Sequence, residues 1–368
     1  MFLESVVPFV VLLGVVVVVH ELGHLIVARA NGVFCEIFSL GYGPKICEWR
    51  DRHGTRWRLS LFPLGGYVKM FGDADVSSVK EVIPAGYTER DMDMMSAHRK
   101  KPWQRLLISL GGPVANFILS MVVLFMVTII NGVPKYSTVV TVAEDSVARS
   151  AGLQSGDEII EVNGRQITDF KELREQIIES GGKVLEINVK RNDEMLRVSV
   201  NMFEEKDGKV VPRSVLGVAP KDVIYEKTGI VGSIKTALVT TYDMAAGNIS
   251  AIFKIITGRM SATKIGGIIS IFKVSADSAA AGLASFIFMI AMISTTLGAI
   301  NLLPVPVLDG GAVVIAIVEQ IIGQPLNKKL VDAIFSVGLV AVVGLMVIGM
   351  WNDLAGCKVF DALKSYFR

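Results

Sequence analysis

The chain has 368 residues, 51% of them hydrophobic, and a mean hydropathy of +0.52. That is too apolar for an ordinary soluble enzyme and points to a membrane protein. Its 37 Lys and Arg nearly balance its 35 Asp and Glu, and a net charge of +2 gives no basis for nucleic-acid binding.

The first apolar run, Ser5–Val19, leads straight into "HELGH" (His20–His24), and the helical pattern continues to about Ala30. The start, "MFLE", has Glu4 and no Lys or Arg, so the run reads as a span rather than a secretory signal peptide. An ionisable side chain in the bilayer costs about 2.5–3.5 kcal/mol on insertion scales. A chain that keeps two imidazoles and a carboxylate there uses them. Four residues apart on a helix, His20 and His24 lie about 40° round from each other and share a face. Two such imidazoles can grip one Zn²⁺ at about 2.0–2.1 Å. Glu21 lies close by without ligating, where a general base belongs. The competing reading is a salt-bridged structural cluster.

Ser39–Gly72 alternates apolar and polar residues around "DRHG" (Asp51–Gly54) and reads as a β-hairpin, with a second glycine-rich bend at "LFPLGGY". Asp73–Met95 is polar and acidic and reads as a loop. A basic stretch with Trp103 at headgroup level then enters the second apolar run, Leu106–Val133. There "LGGPVANF" supplies Gly111, Gly112 and Ala115, small residues that let membrane helices approach closely. Asn116 either bonds to a broken segment or to substrate, or simply packs between helices.

Lys135 to about Glu204 differs in kind. A short helix, a strand and a tight Asn-Gly turn lead to a helix capped by Asp169, with Glu172 completing a capping box. A hairpin then turns near Asn192–Asp193. About 70 residues of mixed α and β suffice for a small core. From Lys221 to Lys273 apolar residues fall at helical spacing, giving an amphipathic helix on the membrane surface or one packed on the soluble domain.

The third run, Ser278–Leu308, passes into "NLLPVPVLDGG" (Asn301–Gly311). Pro304 and Pro306 cannot continue a regular helix. Broken backbone at membrane depth must be buried in protein or line a cavity. A catalytic zinc needs a third protein ligand and an open position, and Asp309 is the candidate, unless it only caps the helix that follows. Gly310 and Gly311 would let backbone pack close to the metal helix. A fourth run covers Ala333–Asn352. Each run can cross a core of about 30 Å.

Basic residues gather between the first two spans and at Lys328–Lys329, which keeps those loops cytoplasmic. Both termini and the stretch from Lys135 to about Asp277 then face outward. Cys35 and Cys47 fall on one side and Cys357 on the other, so no disulfide framework is expected.

Together these motifs resemble the site-2 protease family of intramembrane zinc metalloproteases, in its bacterial RseP-like branch. "HELGH", "GGPVANF" and "NLLPVPVLDGG" follow in the family's order. "FSLGYGPKI" and "FPLGGYVKM" are similar to its membrane-associated β-region, and "SAGLQSGDEIIEVNG" to a circularly permuted PDZ domain. The resemblance implies a polytopic α-helical membrane protein with four transmembrane helices, a membrane-associated β-hairpin region and one inserted extracytoplasmic PDZ domain. It divides the chain into a first core half over 1–134, a PDZ domain over 135–206, a linker with an amphipathic helix over 207–277 and a second core half over 278–368. It implies one Zn²⁺ per chain held by His20, His24 and Asp309, with Glu21 as catalytic base. Asn301, Pro304 and Pro306, and with them Asn116, would position substrate. The implied partners are the lipid bilayer, single-span membrane proteins such as pre-trimmed anti-sigma factors or signal-peptide remnants, and an upstream site-1-type protease acting on the same substrates. The implied location is the bacterial inner membrane. The alternative is a non-catalytic membrane scaffold with a PDZ binding module. A zinc transporter would need polar residues along several spans, and the fourth run offers almost none.

Overall fold

The computed structural model describes residues 2–73, 83, 86–180, 183–206, 209–212, 216–261 and 266–356. Cys357 and part of the loop read over Asp73–Met95 lie outside the described residues. The described helices, in chain order, are α1 (Phe2–Ala30), α2 (Glu89–Met95), α3 (Pro102–Asn131), α4 (Val147–Ser150), α5 (Phe170–Glu179), α6 (Ile230–Ile256), α7 (Ile268–Ala280), α8 (Leu283–Asn301), α9 (Asp309–Ile322) and α10 (Lys328–Gly356). The strands are β1 (Cys35–Arg50), β2 (Arg56–Met70), β3 (Val133–Tyr136), β4 (Val140–Val142), β5 (Glu158–Val162), β6 (Arg165–Gln166), β7 (Leu185–Arg191), β8 (Glu194–Val200), β9 (Phe203–Lys206), β10 (Lys209–Pro212), β11 (Val218–Pro220) and β12 (Val223–Glu226). They form two compact units, Met1–Val127 with Ile234–Arg368, and Thr128–Ser233.

In the first unit, four helices are long and apolar enough to cross a membrane: Glu4–Ala30, Pro102–Asn131, Leu283–Asn301 and Lys329–Leu354. The third is shorter than the apolar run that announced it. Gly282, at φ +113°, separates α7 from α8, and the helix stops at Asn301, so only the middle of Ser278–Leu308 is one span. Lipid gives no hydrophobic push between helices, so small residues and hydrogen bonds join them. Ser120 Oγ of α3 donates to the Ala291 carbonyl (3.0 Å), and Ser294 Oγ of α8 donates to the Asn116 carbonyl (2.9 Å). Helix α6 lies against α3 and α8, with Ala237 between Leu124 and Ala291 and the Asn248 amide donating to Thr296 Oγ1 at 3.0 Å. The face of α6 that makes these contacts is small and polar, while the apolar residues read there, Ile230, Ile234, Leu238, Ile249, Phe253 and Ile256, are exposed. Buried Asp353 of α10 accepts from the backbone N–H groups of Gly267, Ile269 and Ser270 and so caps α7 from a neighbouring helix. Arg105 of α3 pairs with buried Glu319 of α9, which also accepts from the Leu326 N–H at 2.9 Å.

Strands β1 and β2 pair antiparallel about a turn at Asp51–Thr55. Both bend, so Ile37–Leu40 has partners on two sides, Gly66–Lys69 and Arg56–Leu59. Lys45–Arg50 then flanks the far side of Arg56–Ser60, which leaves Gly66–Met70 at an edge. The turn is fastened to the end of α1. Burial works against the charge of Asp51, but Trp57 Nε1, Arg29 and the N–H groups of His53 and Thr55 all donate to it and hold its carboxyl below the usual range.

The second unit has its own core, in which Val140, Ile159, Val162, Leu173, Leu185, Ile187, Val189, Val200 and Met202 are fully buried. Its main sheet has the order β6-β5-β7-β8. The expected hairpin is β7–β8, turning through Asn192 and Asp193, both at positive φ. Asp169 caps α5 by accepting from the Lys171 N–H, while Glu172 reaches back to the Asp169 backbone and one residue further, to the Thr168 N–H at 2.8 Å. The unit also extends past the expected boundary at 206. Strand β11 pairs with β4 and β12 with β3, because those early strands need partners for their ladders. Residues 218–226 therefore belong to this unit and not to the linker read over 207–277.

Asp157, 1% exposed, is gripped by Arg191 through Nε (2.7 Å) and Nη2 (2.8 Å). Burial raises its pKa, but the Arg191 hydrogen bonds and the Gln154 N–H outweigh this and lower it. A depressed folded-state pKa stabilises at neutral pH, and that contribution is lost on acidification below the ordinary aspartate value of about 3.9. Arg191→Ala should strand a buried carboxylate and destabilise this unit by about 3 kcal/mol. The measurement is hydrogen exchange of β5 and β7 in the full chain at pH 7 and pH 3, where the difference between variant and wild type should shrink at the lower pH.

Candidate metal centre

Helix α1 is continuous through the His motif, so His20 and His24 stack one turn apart with ring centroids 4.8 Å apart and an edge-on angle of 83°. Asp309 arrives from the other end of the sequence. Helix α8 ends at Asn301, the chain makes tight turns over Leu302–Leu308, and α9 starts at Asp309. The N-cap residue of α9 is Leu308, with no side-chain cap. The Asp309 carboxylate is directed instead at the imidazoles, with Oδ2 3.2 Å from His20 Nε2 and Oδ1 3.3 Å from His24 Nε2. The two Nε2 atoms are 3.3 Å apart. Ligand atoms about 2.0–2.1 Å from a tetrahedral zinc stand roughly 3.3–3.4 Å from one another. Two imidazoles and one carboxylate at this spacing are a donor set that fits zinc and leaves a fourth position open. Among the described residues these three form the one such cluster.

The space beside the donors exists because position 112 lacks a side chain. A Cβ on Gly112 would stand 2.3 Å from His24 Nε2 and 2.8 Å from His20 Nε2. Neighbouring Gly111 touches Gly23, where a Cβ would lie 2.1 Å from the Gly111 carbonyl oxygen, so α1 and α3 meet backbone to backbone. Helix α3 also supports the rings from behind. His24 Nδ1 donates to the Ile108 carbonyl at 2.8 Å, and His20 Nδ1 faces the amide of Asn116 at 3.2 Å. Asn116 is fully buried.

Glu21 lies next to the sheet edge. A Cβ on Gly66 would be 3.2 Å from Glu21 Cγ, and the Val68 backbone hydrogen-bonds to the Glu21 carboxylate. Asn301 reaches the same space, with Nδ2 3.4 Å from His20 Nε2. Of the residues singled out in the sequence, His20, His24, Asp309, Asn116 and Asn301 converge here, with Glu21 beside them. Pro304 and Pro306 lie on the adjoining non-helical segment, where Pro306 faces Gly338 of α10. Gly310 and Gly311 do not pack on α1 as expected. A Cβ on either would strike Leu303 O at 2.2 Å or Val305 O at 2.4 Å, so they let the broken segment fold back on its own helix. Two supports escaped sequence reasoning. Gly112 read only as one of three small packing residues, and the Ile108 carbonyl carries no signal at all.

The model of peptidase family M50 matches residues 8–345. The metalloprotease MmpA of Caulobacter vibrioides is 32% identical over 402 residues, spanning 100% of this chain and 99% of that protein. Proteins named by inference as zinc metalloproteases in Agrobacterium fabrum and Clostridium perfringens are also similar. The first is 32% identical over 95% of each chain, and the second is 30% identical over 92% of this chain and 95% of its own.

Gly112→Ala should leave the helices intact but displace the histidine rings, and the purified protein should lose most of its bound zinc by atomic absorption. Gly14→Ala is the control, because a Cβ there meets nothing within 4 Å.

Proposed function

Because the chain belongs to peptidase family M50 and is a zinc metalloprotease, we propose that His20, His24 and Asp309 hold its zinc and that Glu21 is the general base for peptide-bond hydrolysis within or at the edge of transmembrane segments. The observation that carries this reading is the spacing of 3.2–3.3 Å between the two imidazole Nε2 atoms and from each of them to its nearer Asp309 carboxylate oxygen, with the histidines on an apolar span and Asp309 on a helix that begins at a break in the membrane core. Zinc bound there supplies Lewis acidity and lowers the pKa of water to about 7. Glu21 takes the proton of the attacking water and returns it to the leaving nitrogen. The Asn301 amide offers a donor on the same side as the His20 ring and serves to hold the substrate backbone, with Pro304 and Pro306 shaping the segment beside it. A donor set this complete argues against the scaffold reading.

The substrates on this reading are single-span membrane proteins, trimmed outside by another protease before they reach this one. A peptide bond in a transmembrane helix has its backbone groups occupied, and in lipid each unpaired one costs several kcal/mol. The enzyme must therefore offer replacement partners to an opened segment. The Gly66–Val68 edge beside Glu21 can take it as an added strand once the Val68 N–H is released from the Glu21 carboxylate and the Gly66 carbonyl from the Tyr42 hydroxyl (2.9 Å). Arg58, earlier on the same strand, is flanked by Ser39 and Glu48, so the edge does not extend to it. The Met70 N–H is also occupied, since it donates to Asp73 at 3.0 Å. The second unit, with its helix α5 and sheet β6-β5-β7-β8, serves as a PDZ domain. On the same reading the basic loops between the first two and last two spans stay cytoplasmic, and this unit and both termini lie on the other side of a bacterial inner membrane.

Glu21→Gln should abolish cleavage of a model span while bound zinc stays near one equivalent, whereas His20→Ala, His24→Ala and Asp309→Ala should each lose the metal. Normal turnover by the Gln variant would remove Glu21 from its role. Full zinc occupancy in all three ligand variants would remove the coordination set.

Val68→Pro should cut the cleavage rate at least tenfold by removing the N–H that holds the Glu21 carboxylate beside the edge, with Val68→Ala close to wild type. Replacing Gly, Pro, Ser or Asn near the cut site of a substrate with Leu should slow cleavage without removing binding, because the helix then opens less readily. Equal rates for poly-Leu and Gly-containing spans would show that strand capture does not limit the reaction.

A further inference from the structure

We propose that Asn116 is a positioning residue that sets the tautomer of His20, turning its amide as the metal enters. The inference rests on His20 being a zinc ligand.

A neutral imidazole carries one ring proton. A histidine that gives its Nε2 lone pair to a metal keeps that proton on Nδ1, and a buried Nδ1–H needs an acceptor. His24 has one, the Ile108 carbonyl at 2.8 Å, which can only accept. His20 has no carbonyl behind it. Its Nδ1 faces the side chain of Asn116, with Nδ2 at 3.2 Å. The other end of that amide, Oδ1, is buried and has no hydrogen-bond partner.

In this orientation the amide N–H donates to Nδ1, and the ring proton must sit on Nε2. From there it points at the Asp309 carboxylate, 3.2 Å away. That is a consistent arrangement for a ring that holds a proton where a metal would go. A half-turn of the amide exchanges nitrogen and oxygen with almost no change of outline. Oδ1 then accepts the Nδ1–H of His20, the stranded oxygen gains a partner, and the Nε2 lone pair is free to bind metal. One side chain therefore serves both tautomers. Its place is fixed from the backbone, since the Asn116 carbonyl accepts from Ser294 Oγ at 2.9 Å. Because Asn116 is fully buried behind the ring, it does not touch substrate. Its effect on the reaction passes through His20.

The test uses the full chain in detergent, with zinc affinity read by competition against a chelator. Asn116→Leu keeps the volume and removes the acceptor, and should bind zinc about 10–100-fold more weakly. Asn116→Asp keeps an oxygen facing Nδ1–H and should retain wild-type affinity. In ¹⁵N-histidine spectra of the wild type, the His20 proton should move from Nε2 to a hydrogen-bonded Nδ1 on zinc addition. Wild-type affinity in the Leu variant, equal loss in the Asp and Leu variants, or an unmoved proton would each overturn the proposal. His20→Ala separates the two levels. If it keeps zinc, the ligand reading itself falls. If it loses zinc while Asn116→Leu does not, only the role of Asn116 falls.

Discussion

The site depends on one backbone contact, the crossing of α1 and α3 at Gly23 and Gly111, where neither residue has room for a Cβ. This contact brings Gly112 against the imidazole nitrogens and sets Ile108 and Asn116 about one helical turn to either side. The clearance for a metal and both histidine supports thus come from a single helix held at a single distance. Lipid cannot compensate for a looser fit, since tails solvate a separated helix as well as a packed one. Added bulk at the crossing would be felt at both rings together.

The third donor is fixed by different means. Broken backbone between α8 and α9 has to be covered by protein. Gly310 and Gly311 allow the turn to fold onto its own helix, and Gly338 of α10 allows Pro306 to rest against it. Asp309 is the first residue of α9, where the helix N-terminus favours a carboxylate anion. At its other end α9 is tied to α3 through Glu319 and Arg105. The depth of the Asp309 carboxylate is therefore set from both ends of a short helix. One of those ends is anchored to the helix that also supports the histidines.

Much of this was legible in the residues. His20, Glu21 and His24 stand out because ionisable groups in a span are costly, and Pro304 and Pro306 mark the break because they cannot sit in a helix. The four spans follow from apolar runs of sufficient length. Other features left no local trace. The break before α8 at Gly282 falls inside an uncharged run with nothing to mark it. The return of Val218–Glu226 to the mixed unit is a pairing between distant strands, and hydrophobic alternation does not specify a partner. The double-sided pairing of Ile37–Leu40 depends on glycine bends whose direction composition does not give. The role of Asn116 stayed ambiguous for a related reason. A lone amide in a span is compatible with packing, with substrate contact and with support of a neighbouring side chain, and its 3.2 Å approach to His20 Nδ1 is a relation that the residues alone do not give.

The first and last strands of the mixed unit, β3 and β12, lie side by side, Val133 opposite Glu226. The chain leaves α3 and returns toward α6 through adjoining antiparallel strands, the same closure a simple hairpin would make. An insertion whose two ends already meet joins its host through two neighbouring connections, one into β3 and one out of β12. Such a module can be duplicated, exchanged or lost over evolutionary time by recombination at its two adjoining ends, while the helices that carry His20, His24 and Asp309 keep their order and spacing.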